Sequence, residues 1–333
     1  MSRHANIAIF VPHLGCPNRC SFCDQHAISG RVEIPCADDV RAAVKTAMQS
    51  GGYSSENTEI AFFGGSFTAI NRALMDELLC SAYEFVKSGD VRGIRISTRP
   101  DAIDSSILQH LKDRGVTAIE LGAQCMNDEV LLANKRGHTV EDVRRSAELI
   151  KDFGFSLGLQ MMTGLYKSSA QIDFNTAEQF AALSPDTVRI YPTIVFENTA
   201  LSALYKSGDY SPEALDFAVQ NCAKLLQFFN SKNISVIRLG LHSLDNDKYI
   251  AGPWHPAFSE MVYSRIYLER ARDVFLGQPK GDYVIYVKNG NVSKMTGNKK
   301  SNIIFLKNAG YNCTVRENSG LGEFEIKAER SDG

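Results

Sequence analysis

Gly15-Cys16-Pro17-Asn18-Arg19-Cys20-Ser21-Phe22-Cys23 is the stretch of this chain that says most about its fold and chemistry, and it comes shortly after the apolar run 6–11. Three residues separate Cys16 from Cys20 and two separate Cys20 from Cys23, so one short loop carries three thiols. Iron–sulfur clusters require soft, closely spaced thiolates. Three thiolates can hold three irons of a cubane cluster, which leaves the fourth iron open to a substrate.

Two other uses of these thiols are open at this point. A structural zinc ion could bind them together with His13 or His26, although zinc sites usually show a second, distant pair of ligands and none is obvious here. A disulfide network is disfavoured because the chain shows no secretion signal at its start. The spacing therefore favours an iron–sulfur cluster over zinc and over disulfides.

Short apolar runs alternate with longer amphipathic runs along the first part of the chain. We predict strands over residues 6–11, 59–63, 94–97, 118–121, 155–161 and 187–191. We predict helices over residues 38–49, 71–86, 103–112, 140–153 and 170–183. This alternation is typical of parallel βα units and predicts an α/β fold, a partial (β/α)6-type barrel of parallel strands. A doubly wound sheet is the alternative that the pattern leaves open. In a barrel, functional residues collect at the carboxyl ends of the strands, where the cysteine loop also falls.

The cysteine spacing, with Phe22 directly before Cys23, resembles the radical S-adenosylmethionine (SAM) superfamily. The resemblance implies that Cys16, Cys20 and Cys23 bind a [4Fe–4S] cluster, that the open iron binds SAM, and that Phe22 belongs to the cofactor site. In this family an electron from the cluster cleaves SAM to a 5′-deoxyadenosyl radical. The resemblance therefore implies an enzyme that draws on an external low-potential electron donor.

Three strand ends further along the chain match the order of motifs in that family. Gly64 and Gly65 follow the second strand, where paired glycines let a ligand approach the backbone, although a Gly-Gly turn is also common between a strand and a helix. Gln124 follows the fourth strand, and Arg136 comes twelve residues later, where an arginine can pair with a carboxylate. Gln160 lies on the fifth strand, and a buried glutamine bonded to the backbone is the alternative there. The resemblance implies that these five residues contact SAM.

The stretch from Glu120 to Thr139 and the strand end Tyr191-Pro192-Thr193 resemble the branch of the superfamily that holds the catalytic subunit of the elongator complex and its short bacterial relatives. By that resemblance the substrate is RNA, with a tRNA uridine favoured. A large acetyltransferase domain follows the radical domain in the elongator subunit. We expect this chain of 333 residues to hold the radical half only.

The C-terminal tail differs from the rest of the chain in its charge. From Lys280 to Arg316, seven lysines and arginines accompany a single acid. Residues 297–303 resemble the glycine-lysine turn and helix of KH-type modules, which clamp a nucleic-acid backbone; a small unit whose lysines only solvate its surface is the alternative. We predict a radical SAM barrel domain with its C-terminal extension over residues 1–277, and a small basic α/β module, KH-like, over residues 278–333 that contacts tRNA or other RNA.

The composition, 44% hydrophobic and 22% charged with a net charge of −2, is that of an ordinary globular protein. No apolar run approaches the length of a membrane span, and eight cysteines without a leader indicate a reducing cytoplasm. We expect the five cysteines outside the loop to be small buried side chains. Two other functions stay open: a radical SAM enzyme that acts on a small metabolite, and an RNA-binding protein with a structural or redox-sensing cluster.

Overall fold

The structure is a computed structural model and describes residues 5–11, 14–16, 19–24, 33–241 and 246–331, without the side chain of residue 246. The chain divides into two compact units. The first comprises Met1–Glu213 and Phe229–Pro253, and the second comprises Ala214–Phe228 and Trp254–Gly333. The domain boundary after residue 277 stays a prediction.

The strands of the first unit are β1 (Ala5–Val11), β2 (Thr58–Gly64), β3 (Gly93–Thr98), β4 (Val116–Gln124), β5 (Ser156–Thr163), β6 (Thr187–Pro192), β7 (Val195–Phe196), β8 (Ser235–Leu239) and β9 (Tyr249–Ala251). The helices up to this point in the chain are α1 (Ala37–Met48), α2 (Arg72–Lys87), α3 (Ser105–Asp113), α4 (Asp128–Ala133), α5 (Val140–Asp152), α6 (Ala170–Ala182), α7 (Ala200–Ser207) and α8 (Leu215–Ser231). All six predicted strands and all five predicted helices are present, and their ends differ from the prediction by at most three residues.

The strand order identifies the architecture. Among the described residues, seven strands form one sheet in the order β1-β2-β3-β4-β5-β6-β8, and every neighbouring pair is parallel. A doubly wound sheet reverses its order at a switch point, whereas this sheet follows the chain from one edge to the other. The prediction of a partial barrel is therefore confirmed, and the doubly wound alternative is wrong. The prediction of six strands missed β8, the seventh.

The two faces of this sheet differ in polarity. Successive residues of a strand point to opposite faces. Ile60, Ile94 and Ile119 lie on one face and are fully buried. Their neighbours Arg95 and Glu120 lie on the other face, which is lined with polar and charged side chains. We call this polar side the inner face.

The second unit contains a three-stranded sheet. Its strands are β10 (Gly281–Val287), β11 (Tyr311–Glu317) and β12 (Ile326–Arg330), and its helices after α8 are α9 (Phe258–Phe275), α10 (Val292–Thr296) and α11 (Ser301–Asn308). Strand β10 lies in the middle, parallel to β11 and antiparallel to β12. Strand β12 begins only after a turn at residues 323–324. Glu325 N donates to Gly322 O and Phe324 has a φ of +62°, so the chain is still turning there.

Cysteine burial follows the prediction at three of five positions. Cys125, Cys222 and Cys313 are buried. Cys36 and Cys80 are exposed, contrary to the prediction, because Cys36 is the N-terminal cap of α1 and Cys80 lies on the solvent side of α2. No helix in the described ranges is long and apolar enough to cross a membrane.

Candidate functional site

The cysteine loop is packed against the end of β2 through its backbone. Gly65 N donates to Val11 O at 2.7 Å, and Ser66 N donates to Leu14 O at 2.9 Å. A Cβ on Gly65 would lie 2.1 Å from Leu14 O, and one on Gly15 would lie 2.2 Å from Ser66 O. Only glycine permits backbones to approach so closely. These two glycines therefore bring the thiols to the carboxyl end of the sheet.

A second anchor holds the loop from the side of α4. Ser21 Oγ donates to Asn134 Oδ1 at 2.8 Å, and Ser21 N donates to Asn134 O at 3.1 Å. Asn134 is fully buried and also donates through Nδ2 to Tyr166 O at 2.9 Å. The sequence analysis missed this role of Asn134, although the residue stands two positions before Arg136 in the same motif. The loop is thus fixed by both backbone and side-chain bonds.

The three thiols of the loop are free and lie within electrostatic reach of one another. Cys20 is buried, and Cys16 and Cys23 are half-buried. Burial raises the pKa of Cys23 to about 12, and the nearby Cys20 and Cys16 also raise it. Burial and Cys20 raise the pKa of Cys16, while Arg99 and Arg136 oppose the change. Deprotonating Cys16 and Cys23 therefore calls for positive charge close to them.

The donor set fits an iron–sulfur cluster. In the part of the chain that the structure describes, no three His, Cys, Asp or Glu side chains are grouped so as to hold a single metal ion. A cluster takes one thiolate for each of several irons, so its ligands need not meet at one point. His13 and His26, which we considered as zinc ligands, lie outside the described residues.

Arg136 connects the cysteine loop to the end of β4. Its Nη1 donates to Cys20 Sγ at 2.9 Å, and its Nη2 donates to Gly122 O. Its guanidinium carbon lies 6.0 Å from the centre of the Phe22 ring, which is within the range of a cation–π interaction. Arg136 is only 6% exposed, so its charge acts on the thiols with little screening by water.

Gln124 stands at the end of β4 in a strained conformation. Its φ is +67°, a region that residues other than glycine rarely adopt. A Cβ on Gly122 would lie 3.1 Å from Gln124 Nε2 and 3.5 Å from Arg136 Nη2, so the two side chains meet above this glycine. Gln124 Oε1 and Arg136 Nε are buried and have no hydrogen-bond partner among the described residues. Strain and unmet buried polar atoms are typical of a site that is completed by a polar ligand.

His138 contacts the backbone at the end of β4, next to Gln124. It is 5% exposed, and its Nε2 lies 3.2 Å from Ala123 O. Burial lowers the pKa of His138 to about 4, and Arg136 lowers it as well. The imidazole is therefore neutral at physiological pH and donates from Nε2 to the backbone next to Gln124. The sequence analysis did not single out His138.

Gln160 lies on the inner face and is held by a carboxylate. Its Nε2 donates to Glu120 Oε2 at 3.0 Å and lies 3.4 Å from Ser97 Oγ. Glu120 is 1% exposed and also forms ion pairs with Arg189 at 2.7 Å and Arg95 at 3.3 Å. The sequence-based alternative of a glutamine satisfied by backbone is wrong, since the amide of Gln160 contacts the side chains of Glu120 and Ser97. This buried charge network was not predicted, because its members come from four different strands.

A cavity of about 480 Å³ opens beside the cysteine loop. It is lined by Gly15, Cys16, Ala69, Arg99, Asp101 and Ala102. Arg99 is 5% exposed and pairs with Asp101 through two hydrogen bonds of 2.9 and 2.8 Å. It supplies a second positive charge near Cys16 and Cys20. The sequence patterns gave no indication of this role of Arg99.

The predicted site residues thus fall into two groups. Phe22, Gln124 and Arg136 lie close to Cys20, and Gly64 and Gly65 border the cysteine loop, where a Cβ on Gly64 would lie 2.9 Å from Val11 O. Gln160 belongs to the charge network of the inner face. Their contacts with SAM stay a prediction.

Two family models match this chain. The model of the radical SAM superfamily matches residues 10–172, and that of the Radical_SAM C-terminal domain matches residues 185–268.

Two curated proteins are similar in sequence to part of this chain. The chain is 26% identical over 239 residues to a tRNA uridine(34) acetyltransferase of Dehalococcoides mccartyi, covering 62% of this chain and 52% of that protein. It is 31% identical over 195 residues to Elongator complex protein 3 of Homo sapiens, covering 53% of this chain and 36% of that protein. The chain therefore spans about half the length, or less, of these relatives.

A solved structure supports the fold. An archaeal Elp3 of Methanocaldococcus infernus, with an N-terminal deletion, matches with a TM-score of 0.67 and 21% identity, over 81% of this chain and 64% of that chain. At this identity the likeness establishes the fold alone.

Proposed function

Since this chain belongs to the radical SAM superfamily, we propose that it is an enzyme that cleaves SAM at a [4Fe–4S] cluster and modifies RNA, with a tRNA uridine as its substrate. The observation that carries the proposal is the hydrogen bond from Arg136 to Cys20, which joins the thiol loop to the unmet polar atoms at the end of β4.

Cys16, Cys20 and Cys23 would hold the cluster. When bound, the cluster and SAM supply a 5′-deoxyadenosyl radical that abstracts a hydrogen atom from the substrate. The protein positions these groups and excludes water. Arg136 and Arg99 place positive charge beside the loop and favour the thiolate form of Cys16.

Gln124 and Arg136 would contact SAM, because each offers a buried polar atom that the described residues leave unmet. Gly64 and Gly65 would offer their backbone, and Phe22 would pack beside the cofactor. Gln160 would reach SAM from the inner face, where Glu120 fixes its amide. His138 would keep the backbone of β4 in place through its bond to Ala123 O.

Two observations support RNA as the substrate. The relatives named above are a tRNA uridine(34) acetyltransferase and Elongator complex protein 3. In the second unit, Lys299 and Lys300 are exposed on the turn before α11. Lys288 and Lys294 contribute less than their number suggests, because both pair with Glu323, at 3.6 and 3.4 Å. We therefore propose that RNA contacts the second unit at the Lys299–Lys300 turn.

We further propose that the enzyme works in a reducing cytoplasm with an external low-potential electron donor. None of the eight cysteines forms a disulfide among the described residues, which is what a reducing compartment maintains.

The test is the formation of 5′-deoxyadenosine by anaerobically reconstituted protein with SAM and dithionite, measured by mass spectrometry. We expect product from the wild type and none from Cys20→Ala. Cys222→Ala is the matched control, since Cys222 is also a buried cysteine but lies outside the loop. Adding deuterium-labelled tRNA, and in a separate reaction a pool of deuterium-labelled small metabolites, shows which class of substrate transfers deuterium to 5′-deoxyadenosine or increases turnover.

A protein that assembles its cluster but neither binds nor cleaves SAM would contradict the proposal and leave a structural or redox-sensing cluster in an RNA-binding protein. Turnover that responds to metabolites and not to tRNA would retain the radical enzyme and overturn the RNA substrate.

A further inference from the structure

A series of ion pairs lies on the inner face of the sheet, and each of its two carboxylates pairs with two arginines. Glu59 pairs with Arg95 at 2.9 Å and with Arg92 at 3.3 Å. Glu120 pairs with Arg95 at 3.3 Å and with Arg189 at 2.7 Å. Two carboxylates thus balance three guanidiniums, and both carboxylates are fully buried.

A further arginine of this face lacks such a partner. Arg238 on β8 is half-buried, and no carboxylate of the described residues lies within 4.0 Å of it. It is the cross-strand neighbour of Arg189, so both side chains point to the inner face. Burial is the main cause that lowers the pKa of Arg238, and Arg189 lowers it as well, whereas Tyr191 and, less strongly, Glu120 act in the opposite sense.

This arrangement costs stability. Two like charges directly opposite each other on adjacent strands repel, and partial burial strengthens the repulsion. The guanidinium stays charged, because arginine does not lose its proton in proteins. A residue that destabilises the fold where it stands is best explained by a task that requires its charge.

We propose that Arg238 forms a subsite on the inner face for a phosphate group of the substrate. The proposal rests on the proposed function, in which the substrate is RNA, and it names the part of the RNA that the inner face binds. Each nucleotide carries one phosphate, and the planar fork of a guanidinium matches two phosphate oxygens. Phosphate contacts position a nucleic acid without reading its sequence. Arg238 would thus hold the backbone beside the nucleotide that reacts.

Neighbouring groups favour this ligand over a neutral one. Arg189 adds positive potential on one side, although Glu120 balances most of its charge. The ring of Tyr191 follows on the same face of β6, two residues beyond Arg189 and nearer to the carboxyl end of the strand. An anion approaching from that end would meet Tyr191 first and Arg238 beside it.

The test compares the binding of uridine 5′-monophosphate and uridine, measured by calorimetry on the reconstituted protein. We expect the wild type to prefer the monophosphate by about tenfold or more, the range of charge-assisted hydrogen bonds. Arg238→Gln should abolish this preference, and Arg238→Lys should keep part of it because it keeps the charge and loses the fork. Arg144→Gln, at an exposed site on α5, is the matched control and should bind both compounds like the wild type.

Stability provides a second readout. Because Arg238 has no carboxylate partner among the described residues and faces Arg189, Arg238→Gln should unfold at the same denaturant concentration as the wild type or at a higher one. A clear loss of stability would mean that Arg238 is part of the ion-pair network and would overturn the proposal. Equal binding of the two compounds by the wild type at millimolar concentration, or an unchanged preference in Arg238→Gln, would overturn it as well.

The result is separable from that of the SAM-cleavage assay. A wild type that forms 5′-deoxyadenosine yet does not distinguish the two compounds retains the radical enzyme and loses the subsite. A preference for the monophosphate that depends on Arg238, in a protein that never cleaves SAM, retains the subsite and loses the radical function.

Discussion

The guanidinium of Arg136 lies 2.9 Å from the sulfur of Cys20, a residue 116 positions earlier in the chain. One buried arginine thus bonds a thiol of the cysteine loop through Nη1 and the backbone of Gly122 through Nη2. Its third nitrogen, Nε, has no partner among the described residues. Arg136 therefore couples the geometry of the loop to that of β4.

We expect Arg136→Gln to retain less iron per chain after reconstitution and to bind SAM at least about tenfold more weakly, because it loses a charge-assisted bond to a buried sulfur. Arg136→Lys should be intermediate, since it keeps the charge but cannot bond Cys20 and Gly122 in the same plane. Iron analysis and equilibrium dialysis with labelled SAM measure both effects. Arg145→Gln, at an exposed position of α5, is the control. Wild-type iron content and affinity in Arg136→Gln would refute the coupling.

The close contact between the cysteine loop and β2 gives a second prediction. Gly65→Ala would place a methyl group 2.1 Å from Leu14 O, a backbone atom that cannot move without displacing the loop. We expect a loss of about 1 to 3 kcal/mol in the free energy of unfolding and a clear drop in iron content. Denaturant unfolding and iron analysis provide the measurements.

Gly51→Ala is the matched control for this prediction. A Cβ on Gly51 would meet nothing within 4 Å, and neither Gly51 nor Gly65 has a positive φ. The two variants therefore differ in steric contact and not in backbone strain. Full iron content in Gly65→Ala, or an equal loss of stability in both variants, would show that the close approach of the two backbones is not needed to position the cysteine loop.

Local sequence patterns predicted the elements of this fold well and its long-range pairings poorly. Strand and helix positions follow from periodicity within one segment, so the predicted segments of the barrel agree with the structure to within three residues. The partners of Gln160 could not be predicted in this way, because Glu120 lies on β4 and reaches Gln160 only after the strands assemble in register. Arg99 and His138 escaped notice for the same reason.

The charge of the tail shows a related limit. The count from Lys280 to Arg316 indicated a strongly basic surface. Glu323 lies just outside that window, and in the structure it pairs with Lys288 and Lys294. Counting charges in one stretch of sequence thus overstates the positive charge of a surface when an acidic residue from outside that stretch pairs with its lysines in the fold.

The ion-pair network of the inner face gives a third prediction. Glu120→Gln removes one negative charge and leaves Arg95 and Arg189 without full compensation in a buried setting. We expect a loss of about 3 to 5 kcal/mol in the free energy of unfolding, the range for breaking a buried ion pair by removing one partner. Urea unfolding followed by circular dichroism measures the loss.

Glu84→Gln tests whether burial is the reason for the large loss of stability that we expect in Glu120→Gln. Glu84 pairs with Arg41 at 3.1 Å, but both side chains are exposed, so this variant should change stability little. A loss of less than about 1 kcal/mol in Glu120→Gln would mean that water enters the inner face and screens its charges.

The pH dependence of stability gives the last prediction, and it concerns Glu213. Burial raises the pKa of Glu213 to about 7 from its usual 4.5, and the nearby Asp173 raises it as well. The folded protein thus keeps a proton on this carboxyl at pH values where the unfolded chain has released it. Between about pH 4.5 and 7, each rise in pH therefore favours the unfolded state, and above pH 7 the loss is complete.

Glu213→Gln carries a neutral side chain of the same size at every pH and escapes this loss. We expect the variant and the wild type to differ least below pH 4.5, and the variant to be the more stable of the two at pH 8. Unfolding free energies at several pH values measure the difference, and Glu141→Gln, at an exposed position of α5, should show a difference that does not vary with pH. A constant difference between Glu213→Gln and the wild type from pH 4.5 to 8 would mean that Glu213 is ionised in the folded protein throughout, and that water reaches its carboxylate beside Asp173.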